Sequence, residues 1–485
     1  MSDIEPFALL LVLAAAAALA AVASHRLGDR FGVPAPAIFL IAAAGASDVF
    51  PRLGSLSIEV DQRIVTVALA LILFEGGVSI GWHRFRTEAG AVIWLGVAGT
   101  AVTAAAMAAA AHVVLGYGWH LSLVVGTALA PTDPAVVFSV LGRREIEGRA
   151  GTILKGESGA NDPVGIALMV SLLGFSGHGA RHELLDGSLE FGLQMVLGLA
   201  AGVFGAWVLL ALMRHVSLPN EALYSLQTIA FAILVYGLTA VCHGSGFLAV
   251  FLMGILVGDA RAPFKREIER FTSALSSLSE IVVFVVLGLS ISLSEVLDPR
   301  TLGLGLTLAG LLIFVIRPVL VGLVLWPVRP LGRGERGFVL WAGLKGAVPI
   351  LLGTYVVVEG TPHASEIYHL IVVVVTASVV LQGSLVPVVA RALGVPMQTI
   401  QPAPWALGMR FRDEPSGLHQ YLVEAGSPAD GATIAGLSVG DDVWISMISR
   451  GGQLVQARSD TVLREGDEVL ALAEDDAASA AFRRS

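Results

Sequence analysis

Residues 156–170 read GESGANDPVGIALMV. They set two carboxylic acids, Glu157 and Asp162, into an otherwise apolar run. A run of about 18 or more such residues has the length that crosses a bilayer as a helix. On a helix Glu157 and Asn161 are four apart, as are Ser158 and Asp162. The four groups then cover an arc of about 140° at about 100° per residue. Glu157 points in a direction beside that of Asp162, so the two acids need not do the same work. An ionisable group at membrane depth is costly and marks a functional position. The alternative is that Glu157, two residues past Lys155, caps the helix start in water.

The rest of the chain supports a membrane setting. Of its 485 residues, 55% are hydrophobic and 14% charged, far from the profile of a soluble domain. Apolar runs predict thirteen transmembrane helices over 6–24, 35–48, 61–81, 89–114, 119–141, 155–174, 190–213, 222–241, 245–258, 273–291, 301–326, 338–358 and 367–391. Asp3 and Glu5 precede the first run with no basic residue, so it does not read as a cleavable signal peptide. With the N-terminus outside, seventeen basic residues fall in inside loops, among them Arg84, Arg86, Arg149, Lys155, Lys265, Arg266 and Arg270. Four, Arg52, Arg63, Arg181 and Arg300, fall outside. Positive charge is thus kept on the cytoplasmic side. The single cysteine, Cys242, excludes an intrachain disulfide and a cysteine-based metal cluster.

After Arg391 the texture changes. Residues 1–392 read as the membrane domain, 393–416 as a proline-bearing linker and 417–485 as a small cytosolic α+β domain. In the last, short β-like runs (HQYLVEAG, VWISMISR, QLVQA, EVLALAE) are split by the turn signals RGGQ and REGDE. No G-x-G-x-x-G precedes them, so the usual nucleotide-binding half is not expected.

Four further places put polar groups at membrane depth. Glu75 lies late in the third span, in LFEGGVSI. Thr132 and Asp133 lie mid-span in ALAPTDPAVVF, bracketed by Pro131 and Pro134; each proline removes a backbone donor, so the helix is expected to break at the acid. Arg317, in LLIFVIRPVLVGLVL, cannot lose its proton and needs a carboxylate, for which Glu157 is the expected partner. Lys345, in WAGLKGAVPILL ahead of Pro349, marks a second discontinuous helix, where a cation offsets the negative pole of a half-helix. For each of these the alternative is a bland one: a rim residue, a structural kink or an interfacial side chain. The two broken spans run in opposite directions, so spans 4–6 and 11–13 are expected to be inverted repeats crossing at the midplane, the pattern of a secondary transporter. The fold class is therefore an all-α polytopic membrane protein with two discontinuous helices, plus the small tail domain.

PTDP, GESGANDPVGIAL, the intramembrane arginine and GLKGAVPI together resemble the CPA1-type monovalent cation/proton antiporters. With the tail, which resembles the C-terminal half of the regulator-of-potassium-conductance module, the nearest branch is that of the NhaP2-like potassium/proton antiporters. The resemblance covers essentially the whole chain. It implies a homodimer in a bacterial inner membrane and, on the tail, a small nucleotide-like ligand. It implies no cofactor beyond the transported K+ or Na+ and H+, and no nucleic acid. It assigns cation and proton binding to Asp162, Asp133, Thr132, Ser158 and Glu75, and a structural ion pair to Glu157 and Arg317. Lys345 stands where many relatives carry arginine. Members with this tail often continue into a further cytosolic domain.

The chemistry suggested is competition. One carboxylate in poor solvent holds either a proton or a dehydrated cation. Low dielectric surroundings favour the neutral form of a carboxylic acid, and an empty charged site is trapped. Asn161 adds hydrogen-bonding capacity without a second titrating charge, which favours one cation for one proton. Asp162, Ser158, Thr132 and freed backbone carbonyls supply the oxygen ligands that hard cations prefer. Other classes fit less well. A Na+(Li+)/H+ exchanger shares the same features. A gated cation channel needs no titratable site that moves. An intramembrane serine protease built on Ser158 needs a histidine base, and His243 is expected near the opposite surface.

Overall fold

The computed structural model describes residues 34–50, 54, 57–141, 144–146, 148–174, 180–260, 262–326, 331–399, 418–437, 443–451 and 453–472. The expected span 6–24, most of the expected linker, and Arg26, Arg30, Arg52, Arg143, Arg261 and Arg329 lie outside them. The chain divides into two compact units, Met1–Thr399 and Ile400–Ser485.

The first unit is helical. Its elements are α1 (Ala35–Val49), α2 (Ile58–Trp94), α3 (Thr100–Leu115), α4 (Trp119–Ala128), α5 (Ala135–Leu141), α6 (Arg149–Leu173), α7 (Ala180–His215), α8 (Glu221–Val241), α9 (Gly246–Gly258) and α10 (Lys265–Leu289). They are followed by α11 (Pro299–Leu311), α12 (Arg333–Trp341), α13 (Ala347–Val358), α14 (Ala364–Ala377) and α15 (Ser384–Ala392). Each expected span after the first has a helical counterpart here, and six helical stretches among the described residues are long and apolar enough to cross a membrane. Where a loop was expected between spans 61–81 and 89–114, helix continues, and the chain bends at Gly81 alone (φ 70°, ψ 161°).

Among the described residues three π-helical segments interrupt the long helices: Leu95–Gly99, Leu312–Val321 and Ser378–Gly383. The second contains Pro318, which cannot donate to the carbonyl one turn back, and the wider turn accommodates that loss. Close helix packing relies on small residues. A Cβ on Gly77 would meet Phe251 O, and one on Gly254 would meet Phe74 O, so α2 and α9 touch backbone to backbone. Arg149 donates Nε to Glu88 Oε1 at 2.6 Å and a terminal N–H to Oε2 at 2.8 Å. This forked pair ties the start of α6 to α2. A two-stranded ribbon, unforeseen in the sequence, joins β1 (Arg144–Ile146) to β2 (Met397–Thr399).

The second unit is a four-stranded antiparallel sheet in the order β3-β6-β4-β5: β3 (Leu418–Leu422), β4 (Trp444–Arg450), β5 (Gln453–Val455) and β6 (Glu468–Leu472). The turn Gly466–Asp467, with Gly466 at φ 81°, introduces β6. Tyr421, Ile448, Leu463, Val469 and Ala471 form the core. Among the described residues helix is confined to one 3-10 turn, Ile434–Gly436. Asp467 is fully buried and accepts two hydrogen bonds from Arg450, at 2.8 and 2.7 Å, and one from Arg464 N–H at 2.9 Å.

Arg450→Met leaves that carboxylate buried without its guanidinium. A loss of about 3 kcal/mol is expected, read as faster hydrogen exchange in β4 and β6 of the full chain at pH 7. Burial alone pushes Asp467 up, but the bonds from Arg450 and Arg464 hold it below the usual carboxylate range. The pair's contribution is therefore complete above the unfolded value near 4 and is lost as pH falls through the lower folded value. Wild type and variant should converge in acid; a difference that widens there would contradict the assignment.

Candidate functional site

The site is built where two broken helices meet. Pro131 and Pro134 end α4 and delay α5, leaving 129–134 irregular. The second break, 342–346, separates α12 from α13. Pro349 does not cause it: it sits in the first turn of α13, where proline is tolerated. Asp133 N–H donates to Leu344 O at 2.8 Å, stitching the breaks together.

Three charged side chains complement the exposed poles. Lys345 Nζ donates to Ala130 O at 2.8 Å and to Pro131 O at 3.0 Å. The natural helical donor to Ala130 O would be the nitrogen of Pro134, which has no hydrogen. Lys345 thus fills a vacancy that proline creates at the carbonyl end of α4. Its own N–H donates to Ser378 Oγ at 3.0 Å, and Ser378 donates to Gln382 Oε1 at 2.6 Å, so the third π-turn anchors the break. At the carbonyl end of α12, Arg317 donates Nε to Leu340 O at 2.9 Å and a terminal N–H to Val339 O at 3.2 Å. The same guanidinium reaches Glu157 Oε1 at 3.0 Å and Oε2 at 3.3 Å. Asp133 lies against the N-terminus of α13, where a Cβ on Gly346 would run into its carboxylate. An acid at a helix N-terminus and a base at a C-terminus are both favourable.

α6 begins at Arg149, six residues before the expected start, because Gly148 (φ 78°, ψ −151°) stops it there. Glu157 therefore lies inside the helix, buried, and is not a cap in water. Lys345 and Arg317 are also buried rather than interfacial. Asp162 is thirteen residues along α6, about 20 Å from its start at 1.5 Å per residue.

Beside α6 runs a cavity of about 470 Å³ lined by Glu75, Asp133, Ser158, Gly159, Asp162 and Glu280, among others. Asp162 Oδ1 is buried with no hydrogen-bond partner. Pro163 cannot donate to Gly159 O, which leaves that carbonyl as a further acceptor on the cavity wall. Glu75, expected either at the site or at a rim, lies in the wall. Thr132 is not part of that lining; its Oγ1 accepts from Asn161 Nδ2 at 2.7 Å. Asn161 Oδ1, like Asp162 Oδ1, is buried without a partner. Glu157 points away, to Arg317. The structure thus brings Asp162, Asp133, Ser158 and Glu75 together and puts Thr132 one hydrogen bond behind them.

Sequence reasoning missed Glu280, though a signal was present. It is a lone acid in the apolar stretch 273–291, and Ser273, Ser276 and Ser277 precede it at helical spacing. It also missed the second task of Arg317, the capping of α12, because a distant carbonyl end leaves no mark near residue 317.

Residues 12–392 match the family model described as sodium/hydrogen exchanger, transmembrane, and residues 418–485 match a TrkA-C domain. Over 463 residues the chain is 33% identical to the K(+)/H(+) antiporter NhaP of Alkalimonas amylolytica, covering 94% of this chain and 79% of that protein. Over 456 residues it is 29% identical to the K(+)/H(+) antiporter NhaP2 of Shewanella oneidensis, covering 93% and 78%. The sodium proton antiporter MjNhaP1 from Methanocaldococcus jannaschii at pH 8 shares the fold. Its TM-score is 0.67 at 21% identity, over 80% of this chain and 99% of that structure.

Arg317→Met strands the buried Glu157 carboxylate and uncaps α12. It is expected to cost about 3–5 kcal/mol, measured as a lowered midpoint of thermal unfolding in detergent. Glu157→Gln keeps an acceptor for the guanidinium and should cost less. Equal costs, or a costlier Gln variant, would remove the capping role from Arg317.

Proposed function

The chain belongs to the sodium/hydrogen exchanger family, and from that premise we propose that it exchanges one monovalent cation for one proton, alternating around Asp162. The family is one of transporters, not enzymes. The observation that carries the proposal is the unpartnered, buried Oδ1 of Asp162 at a cavity wall beside Ser158. A carboxylate oxygen placed so has two uses: it holds a proton, or it ligates a cation with its hydration shell partly removed. Occupancy by one excludes the other. Asp162, Ser158 and the Gly159 carbonyl supply the oxygens. Thr132 holds the Asn161 amide, whose Oδ1 is buried without a partner. Glu75 and Asp133 set the negative field of the approach. Asn161 carries no titrating charge, so the exchange is electroneutral.

K+ is the favoured cation, because relatives at 33% and 29% identity bear the name K(+)/H(+) antiporter. Na+ is the second reading, favoured by a 26% identical relative from Mycobacterium bovis named as an uncharacterized Na(+)/H(+) exchanger. Ser273 near the start of α10, Ser79 near the Gly81 bend and Lys155 early in α6 all line the cavity, and we take them to mark its one end. That end is flanked by Arg84, Arg86, Arg149, Lys265, Arg266 and Arg270, so it faces the cytoplasm by the distribution of positive charge. The protein works in a bacterial inner membrane as a homodimer, with the TrkA-C domain in the cytosol holding a small ligand.

Asp162→Asn should abolish exchange while the protein remains folded. The assay is dye-reported proton movement in vesicles on addition of KCl or NaCl, beside a thermal unfolding control. Retained exchange would remove Asp162 from its role. A steady cation current through the wild-type protein, without proton coupling, would make it a channel.

A further inference from the structure

We infer that Glu280, approached along Ser273, Ser276 and Ser277 of α10, forms a second holding station for a monovalent cation between the cavity mouth and Asp162. The inference rests on the exchange proposed above. All four residues line the cavity that contains Asp162. They fall at i, i+3, i+4 and i+7 of one helix, and so share one face. Ser273 and Ser277 are exposed, whereas Ser276 and Glu280 are half-buried. The stripe thus runs from the basic end of α10, at Lys265, Arg266 and Arg270, toward the interior. Glu280 is fifteen residues past Lys265, about 22 Å along the helix at 1.5 Å per residue.

Among the described residues no ion pair engages Glu280. Its Oε1 is buried with no hydrogen-bond partner. Glu75 and Asp133, both acids, line the same cavity. The cation in the lining is Lys155, which lies 4.9 Å over the Phe138 ring. Three carboxylates against one ammonium in the approach make a field that concentrates cations in a narrow, low-dielectric cleft. Serine hydroxyls along the stripe replace water one at a time without binding tightly. A cation resting at Glu280 shares the cavity of Asp162 and is not itself in the proton-exchanging seat. Glu280 is thus expected to govern how much cation is needed from one side, not how many ions are exchanged.

The test uses the full chain in proteoliposomes of known orientation. In Glu280→Gln, the K+ concentration for half-maximal exchange should rise about tenfold when K+ is applied on the face carrying Lys265, Arg266 and Arg270. It should change less than about twofold from the opposite face, with the maximal rate kept. An unchanged value, an equal rise from both faces, or complete loss of exchange in a folded variant would overturn the inference. A second measurement does not depend on that variant. In a chain carrying Cys242→Ser, Ser276→Cys should react with a membrane-impermeant thiol reagent from the same face, and K+ should slow the reaction. No labelling from that face would also overturn it. If Asp162→Asn still exchanges, the reading of the main site fails. If it is inactive and Glu280→Gln behaves as wild type, only the second station fails.

Discussion

Lys345 closes on two carbonyl oxygens at the break after α4, one of which, Ala130 O, Pro134 has left without a helical donor. The remainder of the membrane unit is arranged around that contact. A polypeptide break at bilayer depth exposes backbone groups that hydrocarbon cannot solvate. Here the exposed groups are met one by one. The carbonyl end of α4 receives the Lys345 ammonium, and that of α12 receives the Arg317 guanidinium. The N-terminus of α13 faces the Asp133 carboxylate. The two basic charges are themselves placed by a second constraint: Ser378 holds the backbone of Lys345, and Glu157 holds Arg317. Removing any one leaves a buried pole or charge exposed, a far larger penalty than the loss of a single neutral hydrogen bond.

This arrangement also keeps Asp162 available. Glu157, only five residues away, is spent on Arg317, and the Lys345 ammonium is spent on carbonyls. The basic groups of the crossing are thus engaged elsewhere, and Asp162 Oδ1 is left bare. A carboxylate permanently paired with arginine or lysine would have no reason to bind an alkali cation or a proton. The hydrogen bond from Asn161 to Thr132 fixes the neighbouring amide without adding charge. The proposed exchange depends on this separation between charges that hold the crossing and the one that turns over.

Much of this was legible in the sequence, for definite reasons. An arginine within an apolar run must find an acid, and Glu157 lay on a helix face distinct from that of Asp162. Two prolines around Asp133 could not sit in an unbroken helix. The sheet of the tail followed from its turn residues. Other features were not local enough to read. The bend at Gly81 replaces a loop because one glycine at positive φ suffices. Thr132 Oγ1 accepts from Asn161, a contact across 29 residues. Residues 144–146 and 397–399 are strands only in each other's company. Glu280 was visible, but a single acid among serines carries no proline or glycine to announce it, and its meaning came from the cavity it lines.

The central claim is that one carboxyl group serves two mutually exclusive occupants. Proton release on cation binding measures this most directly. Purified protein in weakly buffered detergent solution, near the pH at which Asp162 is half protonated, is titrated with KCl or NaCl against a choline chloride control while a pH dye is read. The account predicts a saturable acidification that approaches one proton per cation bound. Saturable cation binding with no proton released would contradict it.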